Sequence, residues 1–469
     1  MKHLLLLILS TLLLTMVFLA CNQQSQKEAG ANSLAMDDSL NPDDLHRRTF
    51  DYFWETVDSV SGLTPDRWPT ESFSSIAAMG FGFTAYITGV ENNYITRQQA
   101  AERVLKTLRF IMNLPMGDAT TGVAGYKGFF YHFLDMRTGL RYKQVELSTI
   151  DTGLLMAGIL SCYEYFDGAD STEAEIRQLA DSLYRRVEWD WFLNDNQLLS
   201  MGWHPETKKF LDAQWNGYNE AMILNILALG SPTHSIPAVV WENWTATYLW
   251  ADYQGFAHVN FGPLFGHQYS HMYIDFRGIH DAYMQARGID YFENSRRATL
   301  ANRAYCIQNP TGFAGYGKDI WGLTACDGPG HKRQRIGGNT IEFMGYRARG
   351  AAADYLVDDG TITPTAAGGS IPFAPAVCLS ALSEMYQRYG KRLYDRYGFK
   401  DAFNLTFVDD KNPDGWFDED YIGIDQGAIL IMLENHRTEL IWELMKRNKY
   451  IREGLQKAGF SGGWLEKEE

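Results

Sequence analysis

Apolar side chains recur every three or four residues along most of this chain, which is the spacing of one face of an α-helix. Together with the cap and turn residues between the segments, this periodicity predicts about a dozen helices. They span residues 45–60, 72–90, 96–113, 147–166, 172–189, 218–229, 237–250, 267–287, 291–308, 372–389, 391–397 and 425–435. The chain is therefore predicted to be all-α.

The predicted helices differ in how widely their apolar residues spread around the axis. Residues 76–86 and 151–160 are apolar on most sides, as expected for helices surrounded by other helices. Residues 96–113 and 172–189 carry one apolar and one charged face, as expected at a surface. Inner and outer helices in alternation predict an (α/α)6 toroid (barrel), whose inner helix ends and loops form a cleft on one face. Short β-hairpins and loops are predicted to rim that cleft.

The amino terminus has a different pattern. Lys2 precedes an apolar run over residues 4–20, the layout of a secretory signal segment. The run ends in Phe18-Leu-Ala-Cys21, which resembles the lipobox of bacterial lipoproteins, whose cysteine carries the lipid. We therefore predict a signal peptide over residues 1–20 and attachment through a lipid on Cys21 to a bacterial envelope membrane, on the periplasmic side or at the cell surface. An ordinary signal peptide, in which Cys21 is incidental, is the alternative.

The rest of the chain is predicted to be one tethered domain. Residues 21–43 lack apolar periodicity and are rich in polar and small side chains, so they are expected to form a flexible tether. No proline- and serine-rich linker or charge run interrupts the sequence between residues 45 and 455, which predicts a single domain over residues 44–469.

The composition restricts the class of partner. The formal net charge is −15, and an acidic surface disfavours nucleic acid and suits a neutral substrate. Aromatic residues make up 14% of the chain, which is more than a core of this size needs, so some rings are expected to lie in a groove. We expect a monomer that binds no nucleic acid.

The segment from Gly262 to Arg277 combines ionisable and aromatic side chains at a density that packing alone does not need. Sugar rings present hydroxyls at their rim and apolar faces above and below, so such a mixture is typical of a sugar-binding cleft. His267 and His271 could share a helix face and bind a metal, but no third ligand stands at a recognisable spacing. We therefore predict no metal and no other cofactor. Asp275 and Arg277 have an alternative role as a structural ion pair.

Several short motifs carry a family resemblance, and they keep their order from about residue 44 to the carboxyl end. Together they resemble the glucoamylase-like family that is now grouped as glycoside hydrolase family 144. The resemblance implies an (α/α)6 fold and inverting hydrolysis of β-1,2-glucan, by endo attack or by release of the disaccharide sophorose. The family's older label implies α-glucosides of the starch type. The motifs are Thr149-Ile-Asp-Thr-Gly153, Gly217-Tyr-Asn-Glu-Ala221, Gly262-Pro-Leu-Phe-Gly-His-Gln-Tyr-Ser-His271, Ile274-Asp-Phe-Arg277, Trp321-Gly-Leu-Thr-Ala325 and Ile424-Asp-Gln-Gly427.

Inverting hydrolysis needs a protonated carboxylic acid and an ionised carboxylate on opposite sides of the scissile bond. Glu220 is the candidate acid, because it heads an apolar helix behind aromatic residues whose burial would raise its pKa. Its alternative role is to complement the dipole of that helix. Asp425 opens another predicted helix, where it is either a simple N-cap or, as the resemblance favours, the catalytic base.

Further side chains are assigned to substrate binding. Glu146 and Asp151 flank a predicted strand-to-helix transition, with Asp151 as the reserve base. Asp151 is also a candidate N-cap, with Thr149 as its rival. Trp416 is an additional candidate for stacking. The set predicted to bind substrate is Glu146, Asp151, Trp215, Tyr218, His267, Tyr269, His271, Asp275, Arg277 and Trp321.

Two smaller features remain open. Residues 409–420 place oxygen-bearing side chains at alternate positions, which resembles a calcium loop, but Pro413 and the lack of flanking helices favour a turn with solvated acids. A structural Ca²⁺ is the alternative. Cys306 and Cys326 could form a disulfide in an oxidising compartment, and their spacing does not decide this.

A different class of function would leave a different pattern in the cleft. A non-catalytic glycan-binding lipoprotein would have stacking aromatic residues without a pair of carboxyl groups at catalytic separation. A polysaccharide lyase that binds anionic uronates would favour a basic cleft, and the acidic balance of this chain opposes that reading.

Overall fold

The computed structural model describes Met36, residues 39–336 and residues 338–466. The predicted signal peptide, Cys21 and nearly all of the predicted tether lie outside the described residues. The helices are α1 (Pro42–Glu55), α2 (Ile76–Glu91), α3 (Arg97–Met112), α4 (Thr149–Tyr165), α5 (Ser171–Arg185), α6 (Met222–Gly230), α7 (Val239–Thr245), α8 (Tyr269–Tyr273), α9 (Ala282–Gln285), α10 (Tyr291–Gln308), α11 (Pro364–Gly368), α12 (Pro375–Leu393), α13 (Gly423–Thr438), α14 (Leu440–Arg447) and α15 (Lys449–Lys457). Short 3₁₀ helices span Trp189–Phe192, Leu264–His267 and Gly463–Glu466.

Short antiparallel strands fill the connections between helices and form ribbons of two or three strands. The longest hairpin pairs Lys332–Ile336 with Asn339–Phe343. In chain order, the strands are β1 (Arg67–Trp68), β2 (Ser74–Ser75), β3 (Gly125–Tyr126), β4 (Phe129–Phe130), β5 (Phe133–Leu134), β6 (Leu147–Ser148), β7 (Gly202–His204), β8 (Lys209–Phe210), β9 (Trp250–Tyr253), β10 (Phe256–Val259), β11 (Ala325–Cys326), β12 (Lys332–Ile336), β13 (Asn339–Phe343), β14 (Arg347–Ala348), β15 (Gly350–Ala352), β16 (Tyr355–Val357), β17 (Thr361–Ile362), β18 (Tyr394–Asp395), β19 (Gly398–Phe399), β20 (Phe403–Asn404), β21 (Trp416–Phe417) and β22 (Tyr421–Ile422).

Buried helices alternate with half-exposed helices along the chain. Nearly every residue of α2, α4, α6, α8, α11 and α13 is buried, as helices surrounded by other helices require. The helices α1, α3, α5, α7, α10 and α12 bury one face and expose the other. The buried α2 packs against both α4 and α13, and α13 packs against α11. The helix-rich prediction, with its inner and outer helices, is therefore confirmed.

Glycine allows two of the buried helices to approach each other closely. A Cβ atom on Gly158 of α4 would lie 1.9 Å from the carbonyl oxygen of Gly80 in α2. A Cβ atom on Gly80 would lie 2.4 Å from the carbonyl oxygen of Leu154. The two backbones are therefore in direct contact, and no side chain fits between them at these positions.

Local capping moves several helix boundaries from their predicted places. The first helix begins at Pro42, because the side chain of Asn41 caps it and proline suits the first helical position. The segment predicted as one helix over residues 267–287 is interrupted, because the chain turns extended at Ile274 and Asp281 caps a new short helix. The predicted helix over residues 391–397 is wrong, since α12 runs on to Leu393 and strand β18 follows directly. The helices α11, α14 and α15 were not predicted.

The structure decides the possible disulfide and gives the local conformation of the segment that resembles a calcium loop. Cys306 and Cys326 are free and buried, so they form no disulfide. In the segment resembling a calcium loop, Asp409 accepts hydrogen bonds from the backbone N–H groups of Lys411 and Asn412, which makes a local turn. Along the described stretches of the chain, no helix combines the length and the apolar character needed to cross a bilayer.

Candidate active site

The amino-terminal ends of five buried helices meet at one cavity of about 160 Å³. An adjoining cavity of about 260 Å³ shares His132, Asp151, Tyr346 and Ile424 with it, so the two form one cleft. The positive ends of helix dipoles favour negative groups, so this is a suitable place for several carboxylates. The helices α2, α4, α6, α8 and α13 each contribute lining residues from their first turn or from the turn that leads into them. These residues are Ala77, Ile150, Asp151, Glu220, Tyr269 and Ile424.

A larger depression of about 570 Å³ lies elsewhere, on the outer surface between α3 and α5. Its walls come from half-exposed helices and include Val60, Leu105, Lys106 and Phe110. It contains no pair of facing carboxyl groups, so the smaller cleft is the better candidate for chemistry.

Glu220 lies in the turn that leads into α6. Its backbone carbonyl accepts a hydrogen bond from Ser270 Oγ at 3.0 Å, and Ser270 Oγ accepts one from the N–H of Ile223 at 3.0 Å. Its side-chain atom Oε2 is buried without a hydrogen-bond partner among the described residues. Burial, and then the charge of Asp151, raise the pKa of Glu220 to about 7. This carboxyl group can therefore hold a proton near neutral pH.

Asp425 is in the first turn of α13, but it does not cap the helix. The N-cap position is Ile422, which makes no side-chain cap, so the simple N-cap interpretation of Asp425 is wrong. Burial raises the pKa of Asp425 and that of Asp401, and the two side chains share a hydrogen bond. Asp401 Oδ2 also accepts a hydrogen bond from the N–H of Asp327 at 2.7 Å. A buried pair of this kind holds one proton and one negative charge.

Tyr269 is influenced by the charges of both candidate catalytic groups, Glu220 and Asp425. Burial raises the pKa of Tyr269 well above its usual value, and the charges of Asp425, Glu220 and Asp151 raise it further. Its hydroxyl therefore lies within the electrostatic reach of all three carboxyl groups. Glu220, Asp151 and Tyr269 line the first cavity, as predicted from the sequence, and Asp425 directly follows the lining residue Ile424 in α13.

A histidine ties the predicted binding residues Glu146 and Asp151 together. The distance from His132 Nδ1 to Glu146 Oε1 is 2.7 Å, and that from His132 Nε2 to Asp151 Oδ1 is 3.5 Å. Burial alone would lower the pKa of His132, but the neighbouring carboxylates raise it to about 9. The N-cap of α4 is Ser148, whose Oγ accepts a hydrogen bond from the N–H of Asp151. Neither Asp151 nor its rival Thr149 is therefore the cap.

The carboxylates of Asp327, Asp401 and Asp418 form a group that could hold a metal ion, since one oxygen atom of each lies within 4.8 Å of the others. Arg67 already balances part of this charge, with its Nη1 at 2.5 Å from Asp327 Oδ2. Burial and the charges of Asp401 and Asp327 raise the pKa of Asp418 to about 8. Arg67 thus neutralises part of the charge of this group, and the raised pKa of Asp418 favours its protonated form.

Five residues predicted to bind substrate are buried behind the cleft instead, which corrects their assignment. Trp321 is 0% exposed and packs in a core cluster with Leu323 and Ile362, so it offers no face to a sugar. The indole N–H of Trp215 donates to Thr149 Oγ1 at 2.9 Å. The other three, all buried, are Tyr218, His267 and His271.

The two histidines of this group have local partners of their own. His267 packs against the ring of Tyr218 and lies 3.3 Å from the carbonyl oxygen of Phe261. His271 Nε2 lies 3.0 Å from Ser295 Oγ, and burial lowers the pKa of His271 to about 3. The pair therefore forms part of the packed interior.

Asp275 and Arg277 form the structural ion pair that the sequence analysis kept as an alternative. Arg277 Nε donates to Asp275 Oδ1 at 2.7 Å, and Lys446 Nζ lies 2.8 Å from Asp275 Oδ2. Arg277 also pairs with Glu439, directly after the carboxyl end of α13. Because Asp425 lies in the first turn of this helix, the ion pair is at the opposite end of α13, and its assignment to substrate binding is wrong.

Several residues of the cleft were not predicted from the sequence. Asp66 and Arg67 stand between two prolines in the connection that leads to a buried helix, a place where the sequence breaks its helical period. Tyr346 follows a glycine in a loop, which is a weak sequence signal for a residue of a binding cleft. His132 and Asp401 carry no local signal, because only the folded chain brings them next to carboxylates.

Comparison with known proteins agrees with this site. The family model described as "Glycoamylase: Putative glucoamylase" matches residues 212–449. A solved structure described as a "putative glucoamylase" from Bacteroides uniformis is 35% identical, with a TM-score of 0.79, over 92% of this chain and 100% of that chain. The solved endo-β-1,2-glucanase from Chitinophaga pinensis, in complex with sophorotriose and glucose, is 31% identical, with a TM-score of 0.77, over 91% of this chain and 100% of that chain.

A curated relative is longer than this chain. The exo β-1,2-glucooligosaccharide sophorohydrolase (non-reducing end) of Parabacteroides distasonis is 29% identical over 477 residues, which cover 94% of this chain and 61% of the relative. The chain thus spans about three fifths of the length of the curated relative it matches. The family model and the fully covered Bacteroides uniformis structure identify the family. The chain therefore belongs to the glucoamylase-like family, of the glycoside hydrolase family 144 type that its motifs predict.

Proposed function

We propose that this protein is a glycoside hydrolase that cleaves β-1,2-glucan or its oligosaccharides with inversion at the anomeric carbon. The observation that carries the proposal is the carboxyl group of Glu220, whose Oε2 is buried without a hydrogen-bond partner in the described chain and whose pKa is raised to about 7. A group that keeps its proton near neutral pH inside a carboxylate-lined cleft is suited to act as a general acid.

The proposed mechanism uses two groups. Glu220 donates its proton to the glycosidic oxygen as the bond to the anomeric carbon breaks. Asp425 accepts a proton from the water that attacks this carbon from the opposite face. The products are a leaving sugar with a new hydroxyl group and a new reducing end of inverted configuration, and the next cycle requires a proton to return to Glu220.

Asp401 and His132 support these roles as positioning residues. The proton that Asp401 shares with Asp425 orients the base and limits the negative charge of the pair. His132, positively charged below pH 9, keeps Asp151 and Glu146 in place beside the cavity. Asp151 remains the reserve base.

The substrate class follows from the relatives. The Parabacteroides distasonis relative is named as an exo-acting sophorohydrolase and the Chitinophaga pinensis structure as an endo-β-1,2-glucanase. Both endo attack and exo release of sophorose therefore stay within the proposal. The alternation of six buried and six half-exposed helices supports the (α/α)6 toroid as the architecture of this domain.

A non-catalytic glycan-binding lipoprotein is the weaker candidate, because such a protein has no need of a protonated buried acid beside a carboxylate pair. An α-glucan hydrolase has only the family label in its favour.

The location follows from the sequence alone. The apolar run over residues 4–20 and the following Cys21 support a lipid anchor in a bacterial envelope membrane. We place the domain in the periplasm or at the cell surface as a monomer tethered by residues 21–43.

The experiment is to incubate the protein without its signal peptide with β-1,2-glucan, laminarin, cellulose oligomers and maltooligosaccharides, and to resolve the products. We expect cleavage of β-1,2-glucan alone and, by early-time NMR, an inverted anomeric configuration at the new reducing end. Cleavage of maltooligosaccharides instead would favour an α-glucan hydrolase. A retained configuration would contradict the inverting mechanism.

Variants test the two roles. Glu220→Gln keeps the shape and loses the proton, so turnover should fall by about 100-fold or more while oligosaccharide binding survives. Asp425→Asn should lower turnover similarly. The matched control is Glu242→Gln on the exposed face of α7, which should leave turnover unchanged. Turnover near the wild-type level in Glu220→Gln would exclude Glu220 as the acid.

A further inference from the structure

The tryptophans predicted to stack on substrate are buried, so another aromatic side chain must supply the apolar face that a sugar ring needs. Tyr346 lines both cavities of the cleft, and its side chain is 50% exposed. Other aromatic residues of the cleft are less open: Tyr269 is 6% exposed, and Phe265 and Phe73 are partly buried. Within the described chain, Tyr346 is therefore the aromatic residue of the cleft with the largest open face.

The two ends of the Tyr346 side chain have different surroundings. While half of the residue is open, burial raises the pKa of its hydroxyl well above the usual value, and the charges of Asp425, Asp66 and Asp401 raise it further. The hydroxyl therefore senses the negative charge of these carboxylates. No described residue makes a hydrogen bond with this hydroxyl. It is free to bind a ligand.

A buried ion pair holds the backbone next to Tyr346. Arg349 and Asp359 are both 0% exposed, with Arg349 Nε 2.8 Å from Asp359 Oδ1. Arg349 Nη2 donates to the carbonyl oxygens of Met344 and Gly345 at 3.2 Å, and Asp359 Oδ2 accepts from the N–H of Met344 at 2.9 Å. Hydrogen bonds thus hold the backbone that precedes Tyr346 in place without a bound ligand.

The same guanidinium reaches the other wall of the cleft. Arg349 Nη1 donates to the carbonyl oxygen of Asp327 at 3.2 Å, and the side chain of Asp327 pairs with Arg67. The backbone that leads into Tyr346 is therefore held by hydrogen bonds on the same side of the chain as Asp327. A held backbone lowers the conformational entropy lost when this residue binds a ligand, which favours a binding role over that of a merely exposed loop residue.

We propose that Tyr346 is a substrate-binding residue whose ring stacks on a glucosyl unit in the cleft. This inference rests on the proposed glucan hydrolase activity and deepens it. The apolar C–H face of a pyranose suits the open face of the ring, and the sugar hydroxyls suit the polar end.

The test compares Tyr346→Ala, Tyr346→Leu and Tyr346→Phe for hydrolysis of β-1,2-gluco-oligosaccharides. Loss of the ring in Tyr346→Ala should raise KM by about tenfold or more. Tyr346→Leu keeps apolar volume without a flat face, so KM should rise in the same direction. Tyr346→Phe keeps the face, and its KM should stay within about threefold of the wild-type value.

Binding is measured separately from turnover. In Glu220→Gln protein, adding Tyr346→Ala should weaken calorimetric binding of the same oligosaccharides by about tenfold. The matched control is Leu356→Ala on the neighbouring strand β16, because Leu356 is 61% exposed and lies outside the cleft cavities. It should leave KM and binding unchanged.

The outcomes separate this inference from the proposed function. If the wild-type protein cleaves β-1,2-glucan and both Tyr346→Ala and Tyr346→Leu keep KM within a factor of two, the role of Tyr346 is wrong and the function stands. If the wild-type protein neither binds nor cleaves the glucan, the proposed function fails and the role of Tyr346 fails with it. Thermal melting of each variant confirms that it is folded.

Discussion

At the scale of single residues, the proposed chemistry depends on Glu220, a carboxyl group whose pKa burial raises to about 7. Glu220 could be predicted, because an acid at the head of an apolar helix behind aromatic residues is visible in the sequence. Trp321 was misjudged for the opposite reason: a tryptophan in a glycine-rich loop looks exposed in sequence, yet this loop packs into a core cluster. His132 and Asp401 could not be predicted, since their partners come from distant parts of the chain.

Glu220 should also make stability depend on pH. The pKa of Glu220 is about 7 in the folded protein, against an ordinary value of 4.5. Between these two pH values the folded state binds more protons than the unfolded state. Ionisation of Glu220 therefore destabilises the folded state as pH rises. Glu220→Gln cannot ionise. We expect it to be more stable than wild type by about 1–3 kcal/mol at pH 8. This gain should be several times smaller at pH 5, which lies close to the ordinary pKa.

The measurement is denaturant unfolding at pH 5 and pH 8, with Glu242→Gln as the control for the loss of one surface charge. The control should show the same small difference at both pH values. A stability gain of Glu220→Gln that does not change between pH 5 and pH 8 would contradict the raised pKa of Glu220.

Removal of metal ions tests the carboxylate group of Asp327, Asp401 and Asp418. Catalysis by an acid and a base needs no Lewis acid, and Arg67 neutralises part of the charge of this group. Prolonged dialysis against EDTA should therefore leave turnover within about a factor of two of its starting value. A loss of turnover that added Ca²⁺ restores would contradict this and assign the three carboxylates to a cation.

At the scale of elements, the sequence predicted the long helices well and the short ones badly. The helices α2, α4 and α13 bury nearly all their residues, and long apolar runs signal this directly. The five-residue helices α8 and α11 are too short for a helical period to show, and they exist because neighbouring helices cover them. Capping by side chains such as Asp281 set the remaining boundaries.

The contact between α2 and α4 gives a prediction at this scale. In Gly158→Ala, the new methyl group would lie 1.9 Å from the carbonyl oxygen of Gly80, so the two helices must separate. The variant should lose about 1–3 kcal/mol of unfolding free energy. Gly153→Ala in the same helix is the matched control, because its methyl group would meet Leu224 at an ordinary 3.5 Å.

The unfolding free energy of Gly153→Ala should stay within about 1 kcal/mol of the wild-type value, since alanine also favours the helix. The unfolding free energy of both variants is measured by denaturant unfolding, and the two are compared with the same dependence of this free energy on denaturant concentration. Equal stability of Gly158→Ala and Gly153→Ala would show that the two helices are not in backbone contact at Gly158.

At the scale of the whole molecule, the position of the cleft follows from the order of the helices. Residues on several buried helices meet because those helices present their amino-terminal ends at the same place. The sequence shows this order only as alternating buried and amphipathic segments, which was enough to predict a helix-rich fold with inner and outer helices. The chain between α10 and α11 folds into short β-ribbons that carry Tyr346. No hydrophobic periodicity in the sequence predicts the course of this segment.

The last prediction concerns the attachment of the whole molecule. If Cys21 carries the lipid, Cys21→Ser produced in a bacterial host should move from the membrane fraction to the soluble fraction after a carbonate wash. Hydrolysis should be unchanged, because the cleft lies in the folded domain beyond the predicted tether. Ser25→Ala, in the same polar stretch, is the control and should stay with the membrane. A Cys21→Ser protein that remains tightly bound would contradict the lipid anchor and favour an uncleaved apolar segment over residues 4–20 as the means of attachment.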